Sequence, residues 1–271
     1  MRRAAPLPSL VLSAFLAAPA CSQTHVPPPP PAAGAAAPDP SAFSHDLFDA
    51  VLRERVARGA VDYVALRDDE RFREYLRRLA AADPARMADA NERLAFWINA
   101  YNAQTLYGIV TQLDVADRAK VAAWRTNHGL GSFFKGYTYR VAGRDLTLDA
   151  IEHEIVRKEF REPRVHFALV CASKGCPPLR SEAFRGRDLE SQLEEQTREF
   201  LKDPSKNAYD AKSKTLRLSP IFDWFAADFE PAGGRLAFVR SRLPTIPDDA
   251  RVEFGEYDWS LNARPLAEAE R

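Results

Sequence analysis

Residues 91–113 read NERLAFWINAYNAQTLYGIVTQL. On a helical net, Leu94, Phe96, Trp97, Ile98, Tyr101, Leu106, Tyr107, Ile109 and Val110 leave almost no polar face. A helix that is apolar all round is buried on most sides. The stretch therefore predicts a central helix wrapped by the rest of the domain. Asn99 and Asn102 sit three residues apart, on one face of that helix. Carboxamides in an apolar stripe need partners, because an unpaired buried polar group costs about 1–3 kcal/mol. Two roles are open to them: bracing backbone in neighbouring loops, or orienting an imidazole or an oxyanion.

Shorter signals flank this helix. Ser44 can cap a helix carrying Leu47, Phe48, Val51, Leu52 and Val56, and Gly59 ends it. Residues 61–64 read as extended, and residues 69–81 as a helix with arginines outward. Residues 137–141 and 145–148 flank Ala142-Gly143-Arg144 as a hairpin. Thr147 or Asp149 opens a helix with Ile151, Ile155 and Val156. Residues 165–170 read as an interior strand, and residues 188–202 as an amphipathic helix. A strand over 215–218, a helix capped by Ser219 with Pro220 in its first turn, a helix over 234–243 and a strand over 251–254 complete the series. Hairpins mixed with single helices, without regular βαβ alternation, predict a single α+β domain: a small sheet packed by several helices.

The N-terminus has a different character. Arg2 and Arg3 precede a short apolar run, and Ala18-Pro19-Ala20 is a small-residue cleavage site. Residues 1–20 thus read as a secretory signal peptide, too short to span a bilayer. Cleavage would expose Cys21, the position that bacterial lipoprotein processing acylates; ordinary cleavage would leave a free thiol there. Residues 21–40 hold much of the proline surplus, 20 Pro against 12 Gly in the chain, and read as a stiff tether. The domain is expected over 41–271, exported to the cell envelope and facing the periplasm from the outer membrane, with the membrane as its partner through Cys21.

Composition narrows the function. The 271 residues carry 38 Lys+Arg and 38 Asp+Glu, so no basic surplus suggests nucleic acid. Three cysteines cannot build a disulfide scaffold. There is no nucleophile elbow, phosphate-cradling loop or dinucleotide fingerprint, and no cofactor is implied.

The residues that could carry chemistry cluster around Cys171-Ala-Ser-Lys-Gly-Cys176-Pro-Pro. Cys176 could cap a short helix opened by Pro177, where unpaired N–H groups favour a thiolate. His166 and His153 are candidate bases, since a thiolate beside an imidazole is the minimum for cysteine catalysis. Three readings stay open for the cysteines: a disulfide, a nucleophile, or metal ligation with His166. His153 could equally face solvent. Asp223, among Trp224 and Phe225, needs a partner or its pKa rises.

The blocks FWINAYNA (96–103), LTLDAIEH (146–153) with Arg157, HFALVCAS (166–173), CPPLR (176–180), LSPIFDW (218–224) and YDWSLN (257–262) occur in this order. The chain resembles the domain-of-unknown-function 547 family over about residues 43–262. The resemblance implies a mixed α and β fold and no established activity. Bacterial members are often exported or lipid-anchored. Others are intracellular, where thiols stay reduced, which weakens a purely disulfide reading of the cysteine block.

Together these features predict a cysteine-dependent hydrolase or transferase acting on envelope amide or ester bonds. Cys176 is the expected nucleophile, His153 or His166 the base, and Asn99 or Asn102 an orienter; Glu152, Cys171 and Asp223 are further candidates. A non-catalytic binding or scaffolding lipoprotein is the rival from another class, and metal binding through the His/Cys block is a third.

Overall fold

The computed structural model describes residues 23–30, 43–127 and 133–265. In chain order, β1 (Thr24–Val26) is followed by α1 (Asp46–Arg55), β2 (Val56–Ala57), β3 (Ala60–Val61), α2 (Tyr63–Arg67) and α3 (Glu70–Ala81). Then come α4 (Ala90–Gln112), α5 (Arg118–Ala123), β4 (Tyr137–Val141), β5 (Arg144–Leu146) and α6 (Leu148–Ala150). α6 runs directly into a π-helical segment, Ile151–Phe160. The C-terminal part adds α7 (Leu189–Lys202), β6 (Ala208–Asp210), β7 (Thr215–Leu218), α8 (Ile221–Trp224), α9 (Gly234–Arg240) and β8 (Arg251–Phe254). This is the single mixed α+β fold that the element order predicts.

α4 is the axis of the molecule. Asp89 caps it by accepting the Glu92 N–H at 2.9 Å. From Leu94 to Leu106 every side chain is buried, polar ones included. α1, α2 and α3 cover one side, where Phe48 stacks on Tyr75 with ring centroids 4.8 Å apart. The π-helical segment covers another, burying Ile151, Ile155 and Val156. A second core gathers Phe167, Phe200, Phe222, Phe229 and Phe238 between α7 and the C-terminal elements.

Among the described residues the strands form three small sheets, ordered β1-β4-β5, β2-β3 and β6-β7-β8. β4 and β5 are the expected antiparallel hairpin, with Tyr139 opposite Leu146. β7 and β8 pair in parallel, Leu216 opposite Val252.

Three local expectations change. Of residues 61–64, only Val61 is in a strand. Asp62 accepts the Ala65 N–H at 3.0 Å and so opens a helix at Tyr63. Residues 165–170 do not form a strand. Pro163–Phe167 is a 3-10 turn, begun by a proline with Glu162 as its cap, and the chain then leaves as a loop. Part of the expected tether also belongs to the fold. β1 pairs in parallel with β4, the Pro27 carbonyl accepts from Tyr107 at 2.9 Å, and the Pro30 carbonyl accepts from Arg77 at 2.6 Å. Proline lacks an N–H, but its carbonyl still accepts, which is how these prolines contact the domain. The signal peptide, Cys21 and residues 31–42 lie outside the described residues. No described helix is long and apolar enough to cross a membrane.

Candidate functional site

The loop after the 3-10 turn is held from two sides. From α4, Asn102 accepts the Val170 N–H and donates to the Ala168 carbonyl, both at 2.9 Å. From the C-terminal segment, the Ser260 carbonyl accepts the Lys174 N–H at 2.8 Å, and the Asp258 carbonyl accepts the Gly175 N–H at 2.7 Å. A Cβ on Gly175 would sit 2.8 Å from the Asp258 nitrogen, so only glycine allows this approach. The loop thus presents Cys171 and Cys176 at a fixed place, and the two are joined as a disulfide.

Both cysteines line a cavity of about 350 Å3. Tyr257 reaches into it and places its hydroxyl 3.3 Å from Sγ of Cys171 and 3.2 Å from Sγ of Cys176. The Cys171 backbone N–H also donates to Sγ of Cys176 at 2.8 Å. Sγ of Cys176 therefore faces two hydrogen-bond donors, the arrangement that stabilises a thiolate when the pair is reduced. Cys176 is buried, 4% exposed, and Cys171 is the more accessible of the two.

Glu152 lines the same cavity, with Oε2 3.3 Å from the Tyr101 hydroxyl. Burial pushes its carboxyl up to about 7, against the pull of Arg157. A carboxyl near neutrality in an apolar cavity can both give and take a proton. The phenols of Tyr101 and Tyr257 are raised chiefly by burial and then by the neighbouring Glu152 charge, so they stay protonated donors. The wall opposite is aromatic. Trp224 stacks on Trp259 with centroids 5.6 Å apart, and Tyr257 lies 4.4 Å from Trp259. Trp224 is 49% exposed, which leaves an apolar ledge at the mouth.

A chain of charged groups runs along one side. Arg157 donates to both oxygens of Asp228, at 2.7 and 3.0 Å, and to Nδ1 of His153 at 2.6 Å. Nε2 of His153 faces Asp149 at 3.4 Å. Nε2 of His166 donates to Asp228 at 2.7 Å, and its ring stacks on Phe225 at 3.9 Å. Burial holds both imidazoles below their ordinary value, so they are neutral. The hydrogen bond from His166, followed by Arg157, keeps Asp228 far below the usual carboxylate range.

Of the candidates, Cys171, Cys176, Glu152, His153 and His166 line this one cavity. Neither imidazole is hydrogen-bonded to a sulfur among the described residues; the partners are Asp149, Arg157 and Asp228. Asn99 and Asn102 do not line it. Asn99 holds both the N–H and the carbonyl of Phe184, at 3.0 and 2.7 Å, as Asn102 holds the loop. Bracing of backbone is thus what both carboxamides do. Asp223 also lies outside, paired with Arg235 at 3.2 Å on the surface. Cys176 caps no helix: its N–H donates to the Ser173 carbonyl, and Pro177-Pro178 continues as loop. Among the described residues no three His, Cys, Asp or Glu side chains are grouped to hold a metal ion. Sequence reasoning missed Tyr101 and Tyr257 as site residues. The only signal was their place inside two of the ordered blocks.

Residues 84–201 match the family model described as "Protein of unknown function, DUF547". The resemblance to that family holds over this stretch, which contains α4, the π-helical segment, the cysteine loop and most of α7. No curated protein and no solved structure matches the chain.

Proposed function

We propose that the cavity is the active site of a cysteine-dependent hydrolase or transferase acting on amide or ester bonds. The observation that carries the reading is the meeting of both sulfurs, the Tyr257 hydroxyl and Glu152 on one apolar cavity. Once the disulfide is opened, Cys176 attacks a carbonyl carbon as a thiolate held by the Cys171 N–H and Tyr257. Glu152, protonated near neutrality, gives its proton to the leaving amine or alcohol. It then takes one from the water or alcohol that releases the acyl group. The histidines keep a supporting part: His166 fixes Asp228, Asp228 fixes Arg157, and Arg157 moderates Glu152.

The same proposal places the protein in the cell envelope, exported by residues 1–20 and anchored through an acylated Cys21. Ser22 and Gln23 alone separate Cys21 from β1, so the anchor would hold the domain close to the bilayer. Incubating the reduced chain with activated esters and anilides tests the chemistry. An acyl adduct on Cys176, absent in Cys176→Ser and slow to clear in Glu152→Gln, is expected. No turnover and no adduct on either substrate class would leave a binding or scaffolding role instead.

A further inference from the structure

The disulfide has features that a structural staple does not need. Cys171 and Cys176 are only five residues apart, and their loop is already fixed by Asn102, by the Ser260 and Asp258 carbonyls, and by the Asn262 N–H donating to Ala172. Closing so short a loop constrains little of the unfolded chain. The bond is also not sealed in a core. It lines a cavity, with Cys171 the more exposed residue of the two and both sulfurs in contact with a tyrosine hydroxyl.

We propose that the Cys171–Cys176 bond is itself a reactive group, and that the cavity catalyses thiol–disulfide exchange with small apolar dithiols. One thiolate of the dithiol attacks Sγ of Cys171, the more exposed cysteine, forming a mixed disulfide and breaking the bond to Cys176. Cys176 leaves as a thiolate, received by the Cys171 N–H and the Tyr257 O–H. A better-stabilised leaving thiolate departs faster. The second thiol of the dithiol gives its proton to the cavity and attacks the mixed disulfide. This frees Cys171 and completes a disulfide in the reductant. Two electrons and two protons pass from the dithiol to the cysteine pair. Glu152 carries the protons inside the cavity, and Tyr257 donates its hydrogen bond to the leaving sulfur. The Trp224 ledge and the apolar walls favour a reductant with a hydrocarbon frame over a charged one. Exchange needs no acyl substrate, so it holds or fails independently of the hydrolase reading.

The test uses the full chain in a Cys21→Ser background, with dihydrolipoamide as reductant and iodoacetamide quenching followed by intact mass. The native protein should gain two alkyl groups, about tenfold or more faster than an oxidised peptide of residues 169–178. With a monothiol such as 2-mercaptoethanol in place of the dithiol, the first step has no second thiol to resolve it, so a mixed disulfide should be trapped on Cys171 with Cys176 alkylated. Tyr257→Phe and Glu152→Gln should each slow opening by about tenfold or more with circular dichroism unchanged. Opening at the peptide's rate, opening only in denaturant, or indifference to both substitutions would overturn the proposal.

Discussion

Arg157 grips Asp228 through two hydrogen bonds, at 2.7 and 3.0 Å, one to each carboxylate oxygen. The pair joins the π-helical segment to the C-terminal core, and Asp228 also accepts from His166, which is 4% exposed. Asp228→Asn keeps the size and removes the charge, leaving a half-buried guanidinium without its counter-charge. We expect a loss of roughly 2–3 kcal/mol in urea unfolding at neutral pH. Asp228 is held below the usual Asp range when folded, so its contribution is present above that range and fades as the pH falls through it. The stability gap between wild type and Asp228→Asn should therefore close in acid.

Glu152 gives the opposite sign. Its folded value of about 7 lies above the ordinary 4.5, so the folded state keeps a proton that the unfolded state loses. Stability should be full below 4.5, fall as the pH rises from there through about 7, and level off above it. Glu152 is only half-buried on the cavity wall, so solvent screening discounts the loss to the order of 1–3 kcal/mol. Glu152→Gln should flatten that slope, and unfolding free energies measured from pH 5 to 8 check it.

How much of this could be read beforehand depends on how local each signal is. α4 was legible because its apolar residues follow one another along a single helix, and the β4-β5 hairpin because Ala142-Gly143 marks its turn. The failed strand at 165–170 was equally apolar, but its backbone closes local turn bonds to Glu162 and Val165, and Asn102, a partner far away in the chain, takes the Ala168 carbonyl and the Val170 N–H. Apolarity reports burial and not which partner closes the hydrogen bonds. Within the site, Cys171, Cys176, Glu152, His153 and His166 announced themselves by residue type. Tyr101 and Tyr257 did not. A tyrosine in an apolar helix and one in a C-terminal loop have no local mark of convergence, and only the fold brings them to the cavity.

Asn102 offers a direct check on the loop. Asn102→Ala would leave the Val170 N–H and the Ala168 carbonyl buried without partners. A destabilisation of about 2–4 kcal/mol is expected in chemical unfolding. Cys171 and Cys176 should also lose their fixed placement, visible as faster amide hydrogen exchange across residues 168–176.

Residues 23–30, within the stretch expected as a tether, touch the domain. A chain beginning at residue 41 would lack β1 and the carbonyls that receive Tyr107 and Arg77. Such a chain should be less stable than one beginning at residue 22, by roughly 1–3 kcal/mol for these lost hydrogen bonds. Equal stability would show that residues 23–30 are a spacer after all.

The central claim is that Cys176, once reduced, is a thiolate stabilised in this cavity. It is tested most directly by the pH dependence of iodoacetamide alkylation of Cys176 in the Cys21→Ser, Cys171→Ser chain. The account predicts an apparent pKa below the roughly 8.5 of an unperturbed thiol, moving back up in Tyr257→Phe. A value at or above 8.5 that ignores Tyr257→Phe would contradict it.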